Sequence, residues 1–234
     1  MNPFLFIYTE FLWRPLFNLL IFIYNTIPGH DFGLAVVLFT LIIRGVLTPI
    51  HARAQRAQRE LAVLQPEIQR IQKEHKNNRE AQSKTLMSLY AEHKVNPFSG
   101  CLLMLVQVPV LITLFNIFGK GLDPSLLSYL YSFVLNPGAI DPMSFGVLDL
   151  SKGNIVLGVL AAVTQFFQTK LSMPVQPPSA SKNDFARAMQ AQMQYVFPVL
   201  ILVWSYTLPS ALTLYWTVLN LIGIVQETMM KKKM

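Results

Sequence analysis

From residue 32 to residue 50 the chain runs for 19 residues with a single charge, Arg44. At 1.5 Å per residue such a helix covers about 28 Å, close to the ~30 Å hydrocarbon core of a bilayer. Runs of similar make-up recur at 98–118, 154–172, 195–208 and 209–229. Together they predict an all-α membrane protein. Composition agrees: 13% of residues are charged, where an average domain carries roughly 25%. In 234 residues, five or six spans leave room for one modest polar piece and for no separate catalytic domain.

Several chemistries drop out at once. Cys101 is the only cysteine, so no intrachain disulfide or multi-cysteine metal site can form. His30, His51, His75 and His93 are scattered, and HExxH, GxSxG, P-loop and GxGxxG patterns are all missing. No cofactor, no metal and no enzyme-type active site is expected.

In the N-terminal segment, 1–30, Glu10, Arg14, Asn18 and Asn25 recur at spacings of four, four and seven. They form a polar stripe on an apolar helix, the pattern of a helix lying in the membrane interface. A sixth span and a cleaved signal peptide are the alternatives, and no A-x-A site supports the second. Pro15 suits a first turn if the helix begins near Arg14, and Ile27-Pro28-Gly29 ends it.

The first span, TM1, is read at 31–51. The polar stretch 52–95 then breaks the pattern. Within it Leu61, Leu64, Ile68 and Ile71 recur at 3-4-3, the spacing of a narrow helical seam. Asn77-Asn78 marks a turn, and a second helix at about 79–93 offers Leu86, Leu89 and Tyr90. This predicts an antiparallel helical hairpin outside the membrane, its first helix kinked at Pro66. TM2 follows at 96–119, a Pro- and Gly-containing loop at 120–153, and TM3 at 154–173. A Pro- and Ser-rich loop at 174–192 leads to TM4 at 193–208, short enough to need a lead-in from Met193. TM5 at 209–229 and a basic tail at 230–234 complete the chain.

Charge sets the orientation. Arg53, Arg56, Arg59, Arg70, Lys73, Lys76, Arg79, Lys84 and Lys94 lie in the hairpin, Lys170, Lys182 and Arg187 around the 174–192 loop, and Lys231, Lys232 and Lys233 in the tail. Only Arg14, Lys120 and Lys152 fall on the other side. Lys/Arg excess marks the cytoplasmic face, so the hairpin and the C-terminus are expected inside.

Arg44 remains. It lies about 18 Å from one end of its span and 9 Å from the other, at an insertion cost of ~2.5–3.5 kcal/mol for a helix centre. Either it snorkels to the headgroups or it faces a hydrated cavity. No acidic residue stands in another span except Glu227 at the end of the fifth. Thr40, one turn earlier, shares its face. Other intramembrane polar groups are Gln107, Asn116, Thr164, Gln165, Gln168, Thr213, Trp216 and Asn220. Each alone is more often an interhelical hydrogen-bond former, worth about 0.6 kcal/mol.

Four stretches occur in a telling order. They are LFTLIIRG (38–45), LQPEIQRIQ (64–72), LYAEHKVNPFSGCLLMLVQVPVLITLF (89–115) and LPSALTLYW (208–216). In this order they resemble the YidC/Oxa1/Alb3 family of membrane protein insertases, over nearly the whole chain from about Phe11. The resemblance implies a five-span bundle with a hydrophilic groove open to cytoplasm and lipid but closed to the outside. It implies an interfacial helix before TM1 and a cytoplasmic hairpin. The groove arginine corresponds to Arg44, its polar neighbour to Thr40, the glutamine of the Q-x-P context to Gln107 and the aromatic after the LY pair to Trp216. The third-span glutamine matches Gln165 or Gln168, and Asn220 is counted to the same groove. Hairpin residues Leu61, Leu64, Pro66, Ile68, Ile71, Leu86 and Leu89 hold the docking element. The short tail departs from relatives with long basic tails.

The expected function is therefore insertion and chaperoning of nascent membrane proteins in a bacterial plasma membrane. The expected partners are those clients, the ribosome, the Sec translocon and membrane lipids, and not DNA. The competing readings are a small anion or solute channel, an intramembrane lipid hydrolase, and a structural factor for membrane assembly. A channel wants further polar rings and a path through. A hydrolase wants a paired nucleophile and base.

Overall fold

The structure is a computed structural model and describes residues 3–96, 99–120, 123–172 and 191–231. Most of the expected 174–192 loop, with Lys182 and Arg187, lies outside these residues, as do Lys232 and Lys233 of the tail.

The chain opens as one helical path: α1 (Pro3–Tyr8), a π-turn (Thr9–Trp13) and α2 (Arg14–Thr26). The helix therefore starts well before Arg14, contrary to the sequence expectation. Pro15 explains the π-turn. It has no N–H, and its ring collides with the carbonyl four residues back. The wider register relieves this, with the Arg14 amide donating to the Thr9 carbonyl. The same device recurs at Gln192–Val196, where the Phe197 amide donates to the Gln192 carbonyl just ahead of Pro198. Past Thr26, Ile27 turns extended and Gly29 takes φ +78°, ending α2.

Asp31 caps α3 (Phe32–Val63), its carboxylate accepting from the Leu34 amide at 2.8 Å. α3 does not stop near residue 51 but runs on for 32 residues. Residues 51–63, HARAQRAQRELAV, are polar but mostly strong helix formers, so polarity changes there without a conformational break. The break comes at Leu64, after which α4 (Gln65–Glu74) begins with Pro66 in its first turn. Pro66 thus starts a new helix and does not kink an old one. α5 (Arg79–Glu92) is capped by Asn78, which accepts from the Ala81 amide at 3.0 Å. Leu64, Ile68, Leu89 and Val95 bury one another, with Leu61, Ile71, Leu86 and Tyr90 around them.

α6 (Ser99–Lys120) leads to a 3-10 segment (Pro124–Tyr129) and a small antiparallel pair, β1 (Met143–Ser144) and β2 (Leu148–Asp149). This pair corrects the all-α expectation. Its turn is locally closed and its strands are too short to show in a hydropathy pattern. α7 (Ile155–Ser172), α8 (Phe197–Trp204) and α9 (Ser210–Lys231) complete the bundle. The expected fourth span is only eight residues of α-helix with a π lead-in.

α9 packs against α3, α6 and α7, α7 against α8, and α2 and α6 against α3. The main core gathers Phe17, Leu20 and Ile21 of α2, Phe32, Val36 and Phe39 of α3, Leu114 and Ile117 of α6, and Leu212 and Tyr215 of α9. It fills the end of the bundle that carries residues 123–153, hereafter the loop face; the opposite end is the hairpin face. Among the described residues three helices are long and apolar enough to cross a membrane, Leu5–Thr26, Phe32–Val63 and Ile155–Ser172, and Gln107–Gly119 and Gln192–Trp204 are shorter apolar helices.

The polar stripe of α2 faces the 123–153 loop. Arg14 Nε and Asn18 Nδ2 donate to the Tyr129 carbonyl at 3.0 and 3.2 Å. The Tyr131 amide donates to Asn18 Oδ1 at 2.6 Å, and Asn25 Nδ2 donates to the Leu135 carbonyl at 2.6 Å. At the far end of the loop Asp149 accepts from Lys152 Nζ at 2.7 Å and from the Ser151 amide and hydroxyl. These bonds hold the Asp149 carboxyl down at about 2. Its folded-state pKa is depressed, so its contribution to stability is present above the ordinary carboxylate range and lost as pH falls through about 2. An Asp149→Asn variant should therefore melt with a flatter acid limb than the parent between pH 4 and 2, and superimposable acid limbs would contradict this.

Candidate functional site

Arg44 sits on α3 with 8% of its surface exposed. Nη1 donates to Nε2 of His51 at 2.8 Å, and Nη2 donates to Oε1 of Gln226 on α9 at 2.7 Å. A guanidinium cannot accept, so His51 Nε2 must be the acceptor, which makes His51 neutral with its proton on Nδ1. Both partners are neutral, and the positive charge stays uncompensated by any bonded acid. Nε is buried and has no hydrogen-bond partner among the described residues. The side chain runs toward the hairpin-face end of the apolar run and is held between α3 and α9 by these two bonds.

Glu227, near the end of α9, lies close enough to act on the Arg44 charge but makes its own bonds elsewhere. It accepts from Gln55 Nε2 at 2.5 Å and from Arg59 Nη2 at 3.3 Å. These contacts tie the extension of α3 beyond residue 51 to the end of α9. Two layers of polar contact therefore cross the α3–α9 seam toward the hairpin face: Arg44–Gln226, then Gln55 and Arg59 with Glu227.

The other sequence candidates divide. Thr40 is fully buried one turn from Arg44, its hydroxyl donating to the Val36 carbonyl at 2.6 Å. Gln107 of α6 donates to the Tyr215 hydroxyl of α9 at 3.0 Å, and Tyr215 is within coulombic reach of Arg44. These residues line one region between α3, α6 and α9. Asn220 instead points to α7, donating to the Ala161 carbonyl and to Thr164 Oγ1, both at 3.4 Å. Gln168 lies against Gly223 of α9 and donates to Ser172 Oγ at 3.1 Å, while Gln165 donates to Thr169 Oγ1 at 3.0 Å within its own helix. Trp216 packs in the apolar core. Thr213, also buried, has a hydroxyl without a partner among the described residues.

His51, Gln226 and Tyr215 escaped the sequence reading. His51 was the findable one, since it stands seven residues from Arg44 and so on the same helical face. Gln226 carries no such sign, because only the approach of α9 to α3 brings it within reach.

The sequence matches the family described as "60Kd inner membrane protein" over residues 22–234. It is 33% identical to a membrane protein insertase YidC of Fusobacterium nucleatum over 226 residues, 96% of this chain and 98% of that one. It is 34% identical to a membrane protein insertase YidC of Clostridium tetani over 208 residues, covering 88% and 84% of the two chains. A third protein of that name, from Francisella tularensis subsp. novicida, is 35% identical over 200 residues, which are 84% of this chain but 32% of the longer relative.

Proposed function

Because this bacterial membrane protein belongs to the YidC/Oxa1/Alb3 family, we propose that it is itself an insertase and chaperone for nascent membrane proteins, with the Arg44 region as its hydrophilic groove. One observation carries the groove reading: a buried guanidinium whose two hydrogen-bond acceptors among the described residues are both neutral, with its Nε–H unpaired. Moving a polar segment across hydrocarbon costs several kcal/mol for each unpaired group. A fixed cation partway across lowers that cost for a segment carrying carboxylates, through charge-assisted hydrogen bonds.

Further features support the reading. Exposed apolar side chains of α6, α7 and α9, among them Val108, Ile112, Val163, Phe167 and Val225, suit a client helix leaving into lipid. The apolar core at the loop face, with Phe17, Phe32, Leu114 and Ile117 buried, opposes a through-channel. The basic hairpin suits capture of an emerging client, ribosomal RNA or anionic headgroups, with the hairpin and C-terminus in the cytoplasm. The N-terminal helix is read as lying across the outer ends of the spans. Near its start Tyr8 accepts from Thr113 and Asn116 close to the loop-face end of α6. Its other end reaches the start of α3, also on the loop face. A crossing helix would have one end at each face.

The test is insertion of a small client with an acidic translocated tail into liposomes containing only this protein. Protease-protected client is expected in these liposomes and not in empty ones. Equal protection in both would reject the insertase reading, and ion conductance without client would favour a channel.

A further inference from the structure

The turn of the β1–β2 hairpin is made of residues ill suited to a turn in water. It closes with the Val147 amide donating to the Ser144 carbonyl at 3.1 Å. Both central residues lie in the left-handed region, Phe145 at φ +51° and Gly146 at φ +68°. This is the type I′ pattern, whose first central position favours Asn, Asp or Gly because a Cβ is crowded there. Phenylalanine accepts that strain and gains no burial within the chain, for Phe145 is 74% exposed and the neighbouring Val147 83%. A strained backbone presenting apolar side chains outward points to something outside the chain that rewards it.

The depth of the turn identifies what that is. The Phe145 amide donates to Asp31 Oδ2 at 2.5 Å and Ser144 Oγ to Asp31 Oδ1 at 3.1 Å. Asp31 is the cap of α3, immediately before the apolar run that begins at Phe32. Just past β2 the Leu150 carbonyl accepts from the Ala211 amide at 3.0 Å, and the Lys152 carbonyl from the Ser210 amide at 2.9 Å. Ser210 and Ala211 open α9. The hairpin is thus bolted to the first residues of two helices of the bundle, one of which, Phe32–Val63, is long and apolar enough to cross a membrane and begins its apolar run at this point. Phe133 and Leu135, on the same loop, are exposed as well. The turn itself, Ser144–Val147, carries no charge. Nearby Asp149 and Lys152 spend theirs on each other.

We propose that the Phe145-Gly146-Val147 tip is a lipid-docking wedge, seated in the interface of the leaflet at the loop face. Its partner is the boundary of glycerol and acyl chain, into which an exposed aromatic and an exposed branched side chain partition from water. Because the hairpin joins the starts of α3 and α9, the wedge fixes the membrane depth of the two helices that hold Arg44 and Gln226. The inference needs the chain to be a membrane protein. It does not depend on the insertase reading.

The experiment places a nitroxide at Val147→Cys in a Cys101→Ser background. The full-length protein is reconstituted in phosphatidylethanolamine–phosphatidylglycerol vesicles with a nickel chelate on both sides. Lys84→Cys, on the solvated hairpin helix α5, gives the reference for water. The wedge predicts a ratio of oxygen to chelate accessibility several-fold above that at position 84. Adding Phe145→Asn, which suits the turn but is polar, should lower the ratio at 147 toward the water value without lowering the melting temperature in detergent. A ratio at 147 equal to that at 84 overturns the proposal. Shielding from both oxygen and chelate overturns it too, since that is the sign of a protein partner or a second copy.

Discussion

Replacing Arg44 with alanine is expected to slow insertion of clients with acidic translocated segments by roughly ten- to a hundredfold. A hydrogen bond to a charged group contributes about 1.5–3 kcal/mol, and each 1.4 kcal/mol is about tenfold in rate. Clients without acidic residues in that segment should insert at rates close to those of the parent. Arg44→Lys should hold most of the acid-dependent rate, because the charge is kept although an ammonium cannot reproduce the fork that spans His51 and Gln226. Truncation has a second effect that needs separating. In the alanine variant the His51 and Gln226 acceptors on either side lose their donors, at a stability cost of about 1–3 kcal/mol where they stay dry. Gln226→Ala provides the control, since it removes one tether and keeps the cation. It should lower the melting temperature more than it lowers the preference for acidic clients. If neutral and acidic clients slow in parallel in Arg44→Ala, the electrostatic account fails and Arg44 is a structural residue.

What the sequence revealed and what it hid follow a physical line. Arg44 stands out because a charge in an apolar run is a local anomaly. The hairpin seam stands out because 3-4-3 spacing is a property of one helix. The α3 extension was hidden although every residue in it is local, because a fall in hydropathy was read as an end of helix and backbone propensity was not. Pro15 was read as a helix start, whereas the chain keeps its helix by widening one turn. Nothing in a linear pattern reports what the stripe Arg14–Asn18–Asn25 faces. Its partners, the Tyr129 and Leu135 carbonyls, are more than a hundred residues away, on a loop whose only sequence sign is proline and glycine. The same holds for Arg44: its charge is legible, but the neutral tether from Gln226 is 182 residues distant. Local signals gave the helices and the anomalous residue, while the contacts that give the site its electrostatics are long-range.

The largest expected loss of stability comes from the α7–α8 contact. α8 has only eight α-helical residues, so it holds its place through a few close approaches. At Gly158 an added Cβ would stand 2.0 Å from Ser205 Oγ and 2.6 Å from Ser205 Cβ. At Gly153, in the loop before α7, it would stand 2.3 Å from the Tyr206 carbonyl oxygen and 2.7 Å from that of Ser205. The two glycines thus clamp the same turn from two sides, one against a side chain and the other against main chain. Ser205 has no room to retreat, being 1% exposed with its hydroxyl donating to the Leu202 carbonyl. Overpacking by one methyl typically costs about 1–3 kcal/mol, or several degrees of melting temperature in a chain of this size. The difference in obstacle gives the prediction its edge. Ser205→Gly removes both atoms that oppose Gly158→Ala, so the double variant should melt higher than Gly158→Ala alone. The same Ser205→Gly cannot rescue Gly153→Ala, because carbonyl oxygens remain whatever the side chain. A coupling of about 0.5–3 kcal/mol is expected in the first double-mutant cycle and little in the second. Equal rescue of both, or of neither, would mean that α8 is held by something other than this clamp.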